Sequence, residues 1–138
     1  MCMKIIRGTV FGGIGFFLLG WLIFGILLMD FTSANTNQCA SKPMVEMVWW
    51  AIILSNLLSA LLLTLFLKWS GAKTLFDGLK TGELFGIIYS SAIDLGWWSM
   101  MNWFNNFWAL LADVAANTVM WGLVAMIIVL LWGKEKTA

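Results

Sequence analysis

Histidine is absent from the chain, cysteine occurs twice, proline once, and charged residues make up only 11% of the 138 positions. Each shortage closes a route to function. Without imidazole there is no HExxH metal helix, and neither a GxSxG elbow nor a Gly-rich phosphate loop is present. Enzyme chemistry is therefore not expected, and no cofactor or metal is assigned. Cys2 and Cys39 form no CxxC pair, and the topology derived below puts them on opposite sides of a membrane, which excludes a disulfide within one molecule. The formal net charge is +1, and no basic stripe offers phosphates a surface, so nucleic acid is not an expected partner.

What is present is apolar. Hydrophobic residues make up 62% of the chain, too many for a water-soluble globule of this size, and the expected class is an all-α polytopic membrane protein with a single domain. From Gly8 to Met29 no charge interrupts the sequence, a length that at about 1.5 Å per residue crosses roughly 30 Å of hydrocarbon. Met1 to Arg7 ahead of this run resembles the start of a secretory signal, but Ser33-Ala34-Asn35 is a poor cleavage site and the segment is read as a retained span. Repeating this reading along the chain gives four spans, about 5–29, 44–67, 81–104 and 107–132. The polar run from Asp30 to Pro43 is expected to be a loop. Pro43 then suits the first turn of the second span, with Ser41 as its cap and Glu46 near the positive end of its dipole.

Orientation follows from the basic residues. Lys4, Arg7, Lys68, Lys73, Lys80, Lys134 and Lys136 fall on one side against Lys42 alone on the other, which predicts both termini in the cytoplasm, N-in and C-in. Aromatics mark the same boundaries. Trp49, Trp50, Trp97, Trp98, Trp103 and Trp108 make an outer belt, while Trp69 and Trp132 lie at the inner surface. Small residues predict close helix packing: Gly8, Gly12 and Gly15 on the first span, Ser55 and Ser59 on the second, and Gly82 and Gly86 on the third, where Gly78, Ser90 and Asp94 continue the same four-residue spacing. The glycine faces also leave room for a second protomer, so a homo-oligomer, most simply a two-fold dimer, is expected.

The chemistry is concentrated in the acids of the last two spans. Glu83 and Asp94 stand about three turns apart and about 20° from one another in direction, with Ser90 on their stripe. No Lys, Arg or His lies at matching depth in another span, so these carboxyl groups must be protonated, hydrogen-bonded, hydrated or bound to a cation. Counting from the outer surface puts Asn56, Asp94 and Asn117 at one depth with Asp113 slightly above. That layer fits a proton- or cation-coupled transporter with Asp94 and Asp113 titrating and the two amides placing substrate or water. It fits equally a structural, partner-binding or lipid-interacting protein whose polar layer fixes helix register. Soft donors also gather on the outer side, at Met29, Cys39, Met44, Met47, Met100 and Met101, but methionine fills ordinary helix packing and no tight MxxM repeat lies in the polar loop.

The run GGIGFFLLGWLIFGILLMDF, with a charge-free hairpin and an aspartate in each of the last two spans, resembles the uncharacterised small four-span proteins of bacterial inner membranes. That resemblance covers most of the chain and implies a fold without implying an activity or any site residue. Size and span number are also similar to the small multidrug resistance transporters, which work as dimers around a membrane-embedded glutamate in the first span. Here the first span holds no acid between Gly8 and Met29.

Overall fold

The computed structural model describes residues 2–132, and its long elements are all helices. Lys134 and Lys136, used above for orientation, lie outside the described residues. Helix α1 (Cys2–Leu22) passes into a π-helical turn, Ile23–Leu27, in which the Leu28 amide bonds back five residues to the Ile23 carbonyl at 2.8 Å. After Leu28 the chain resumes as a short helix, α2 (Met29–Asn35). The polar run after Met29 therefore opens as helix where a loop was expected. Asp30 lies in the first turn of α2, where a carboxylate favours the helix dipole, and the Thr32 carbonyl accepts from both the Thr36 amide and the Thr36 hydroxyl.

Two 3-10 turns, Gln38–Ala40 and Met44–Glu46, lead to α3 (Trp49–Ser70). Pro43 caps the second of these turns, so α3 begins five residues later than the sequence suggested, and Ser41 and Glu46 lie before it. Gly71, with φ +71°, ends α3 in the left-handed conformation that only glycine adopts without strain, and its amide reaches the Leu67 and Lys68 carbonyls. Helix α4 (Leu75–Met100) starts earlier than expected, because Thr74 and Asp77 form a reciprocal capping box. Helix α5 (Phe107–Trp132) is capped by Asn106, whose side-chain oxygen accepts the Ala109 amide at 2.9 Å.

The long helices lie antiparallel to their sequence neighbours. Gly8 faces Thr64 and Ile128, Gly12 faces Ala60 and Ile128, and Gly13 faces Leu57, so α1 is wedged between α3 and α5. On its other side α5 carries α4. A fully buried core of Leu63, Leu67, Val124, Ala125 and Ile128 occupies the half near the chain ends, where the Trp132 indole donates to the Lys4 carbonyl at 2.9 Å. This half is called the basic end below, since Lys4, Arg7, Lys68, Lys73 and Lys80 cluster there. Trp121 joins the halves: its ring lies 4.7 Å from Phe16, 4.9 Å from Phe85 and 5.3 Å from Tyr89.

At the opposite, polar-loop end, the connection between α4 and α5 is tied to the end of α2. Thr36 and Phe104 form an antiparallel bridge, Asn37 donates its amide to the Trp103 carbonyl, and the Asn106 side chain donates to Asn35 Oδ1 at 2.8 Å. Large apolar side chains such as Phe11, Ile14, Leu18, Leu58, Ile88 and Leu130 point outward. Three helical segments, Cys2–Leu27, Trp49–Ser70 and Phe107–Trp132, are long and apolar enough to cross a membrane. Helix α4 is as long as α5, but it carries Asp77, Lys80, Glu83 and Asp94.

Candidate functional site

Helix α4 buries one stripe and nothing else: Gly78, Gly82, Gly86, Ser90 and Asp94. Four-residue spacing keeps these positions on one face, and three glycines in succession let the backbones of α4 and α5 touch. A β-carbon on Gly82 would lie 2.5 Å from the Ala125 β-carbon and 2.6 Å from the Trp121 carbonyl oxygen. One turn on, a β-carbon on Gly86 would lie 2.8 Å from that of Trp121. This contact fixes the register of the two helices, and the register decides what meets further along.

What meets is a pair of acids. The carboxyl groups of Asp94 on α4 and Asp113 on α5 come within hydrogen-bonding reach of one another. Asp94 is only 4% exposed, and its Oδ2 has no hydrogen-bond partner. Asp113 is half-buried and oriented by Asn117 one turn along the same helix, whose amide donates to Asp113 Oδ2 at 2.7 Å and to the Asp113 carbonyl at 3.0 Å. Ser90, 5% exposed, stands one turn from Asp94 on the stripe.

The remaining residues of the expected layer are elsewhere. Asn56 is half-buried on α3, and its amide donates to the Ile52 carbonyl of its own helix at 2.9 Å without a bond to either acid. Glu83 lies beside Gly122, where a β-carbon would come within 2.7 Å of the Glu83 side chain, and it does not join the pair. Lys80 places its ammonium over the Phe76 ring, 4.3 Å from its centroid. Of the packing positions, Gly8 and Gly12 make close contacts and Gly15 an ordinary one at 3.6 Å, while Ser55 is exposed and Ser59 half-buried. Both glycine faces on which a second protomer was expected are filled within one chain.

Trp49, Trp50 and Trp108 are exposed, and Trp97 with Trp103 and Trp98 with Phe107 form edge-on pairs at 6.2 Å. The methionines at the polar-loop end are exposed, and no group of three His, Cys, Asp or Glu gathers among the described residues. Sequence reasoning missed Thr32, Asn35 and Thr36, which with Phe24, Leu28 and Phe31 border a gap of about 10 Å³ against Asp113. The signal was there in the four-residue spacing of Thr32 and Thr36, but a helix had to be recognised before that spacing meant anything. No family model, no curated protein and no solved structure matches the chain.

Proposed function

We propose that the protein is a small four-span carrier of the bacterial inner membrane, with both ends of the chain cytoplasmic, that couples passage of a small solute or cation to protonation of the Asp94–Asp113 pair. One observation carries this reading: a buried carboxylate with an unpartnered oxygen faces a second carboxyl group. Two adjacent negative charges in a lipid-immersed interior, with no cation beside them, are far costlier than one, so the pair holds a proton or a cation. Asn117 holds Asp113 in place for that exchange.

The bundle of four spans is supported by the packing of α4 against α5, which shelters Asp94 and leaves Asp77 and Lys80 near the basic end. The cytoplasmic assignment is supported by Lys and Arg clustering at that end. The expected homodimer has to use outward apolar faces of the helices, because the glycine faces are occupied. The test is flux in liposomes under a pH gradient. Wild-type protein is expected to carry proton-linked current above empty liposomes, and Asp94→Asn is expected to abolish it while keeping helical content. Equal current from wild type, variant and empty liposomes would remove the proposal. A partner-binding or lipid-ordering scaffold is the competing reading, favoured by the exposed rim of Trp49, Trp50, Met44 and Val45. A scaffold predicts that Asp94→Asn alters thermal stability and that neither protein carries current.

A further inference from the structure

We infer that the Asp94–Asp113 pair exchanges its proton with the polar-loop end alone, through the gap between α2 and α5 that Thr32, Asn35 and Thr36 border. This rests on the pair being a proton site and adds the side from which it is served.

Toward the polar-loop end a chain of polar groups leads inward from the surface to residues that line the gap. Exposed Gln38 donates to the Thr36 hydroxyl at 2.9 Å, and that hydroxyl donates to the Thr32 carbonyl at 2.7 Å. Beyond them lies the gap of about 10 Å³, with Asp113 on its far wall. A single water needs roughly 10–15 Å³ of such space and two or more polar partners, so the gap is the size of one water, and Thr32, Asn35, Thr36 and Asp113 are the polar residues on its wall. The rest of its wall is apolar, from Phe31, Phe104, Ala109 and Ala112 and from Phe24 and Leu28 at the π-helical turn and the break that follows it, and π-turns inside longer helices recur where a helix is adapted to a site.

Toward the basic end the two helices close on one another. Past Ser90 the α4 and α5 backbones touch at Gly86 and Gly82, and beside them Leu63, Leu67, Val124, Ala125 and Ile128 are all 0% exposed. A proton moving that way would cross a close-packed, mostly apolar layer in which the buried Thr64 hydroxyl has no hydrogen-bond partner to pass a proton to. The charged and titratable groups around Asp113 support the same asymmetry. Asp94 is the one acid facing it from α4, and Phe24, Leu28, Phe31, Thr32, Asn35 and Thr36 include no titratable group. Asp30 on α2 is exposed and does not border the gap.

The experiment uses the full chain in vesicles of one orientation, established by an impermeant maleimide on exposed Cys39. The pH is stepped on one face at a time while the infrared stretch of protonated carboxyl groups is followed, with Asp94→Asn and Asp113→Asn assigning the band. A band responding promptly to a step on the Cys39 face, and unchanged by a step on the Cys2 face within that time, is expected. Thr36→Val is expected to slow the response several-fold, and Thr36→Ser, which restores the hydroxyl, to return it. A response from the Cys2 face, alone or equal to the other, or a Thr36→Val response at wild-type speed, overturns the access route and leaves the proton site standing. A band silent to both faces overturns the proton site as well.

Discussion

Thr64 is fully buried between α3 and α1, its hydroxyl has no partner, and it packs where a β-carbon on Gly8 would come within 2.7 Å. Valine has the same shape and nothing to satisfy, and replacing a buried unpaired polar group by an apolar one is neutral or stabilising. Thr64→Val is therefore expected to raise the melting temperature in detergent or leave it unchanged, and a clear drop would mean that the hydroxyl has a partner. Thr118 gives the opposite case, because its hydroxyl donates to the Val114 carbonyl at 2.7 Å, and Thr118→Val is expected to cost about 0.5–1.5 kcal/mol. Asp77, outside the membrane-spanning segment, carries the pH dependence. The Thr74 backbone amide first, then its hydroxyl, and the Lys73 amide hold the Asp77 carboxyl below its ordinary value of 3.8. A carboxyl lowered on folding contributes stability above its unfolded value, lost as the pH falls through the lower folded one. Asp77→Asn is expected to flatten that acid limb by lowering stability in the neutral range while leaving the acid end little changed, as read from melting temperature against pH.

Between elements, the α4–α5 contact depends on the absence of side chains, and the glycines of α4 differ in how strictly they require it. Gly82→Ala sets a methyl group against backbone atoms of α5 at about contact-breaking distance and is expected to cost about 1–3 kcal/mol by overpacking. Gly96, with nothing within 4 Å of the added carbon, is expected to tolerate alanine or gain about 0.5–1 kcal/mol from helix propensity. Melting of the two variants side by side tests the contact, and equal effects would refute it. This stripe was legible in the sequence, since four-residue spacing of small residues states both a helix and a face. The ends of the helices were less so. Thr74 and Asp77 carried the capping signal that starts α4, and the polar letters of residues 30–35 hid a helix whose end is tied to its own backbone by the Asn35 amide and the Thr36 hydroxyl. The pairing of Asp94 with Asp113 depends on the register of α4 against α5, which glycine contacts set in space and no single-chain spacing records. Asn56 shows the limit of reasoning from depth: a shared level says nothing of direction around the helix axis, and its amide is turned to Ile52.

At the scale of the whole chain, the molecule has two chemically different ends, and the functional reading needs them on opposite sides of a lipid bilayer. The Trp132–Lys4 bond brings the two ends of the described chain together with the basic loop between α3 and α4, while the polar-loop end gathers Asn35, Thr36, Asn37 and Trp103. Four antiparallel crossings are required for that arrangement, including one by α4, whose charges exceed those of the other long helices. If α4 lay on the surface instead, Asp94 would have no reason to be buried against α5, and the loop it feeds would not reach Asn35. The two native cysteines decide the question, since both are exposed and each marks one end. An impermeant maleimide added to spheroplasts is expected to label Cys39 and spare Cys2, with Cys39→Ser abolishing the signal; inverted vesicles should give the reverse. Labelling of Cys2 from outside would break the orientation, and labelling of both from one face would place the ends on the same side, leaving the carboxyl pair without a membrane to work across.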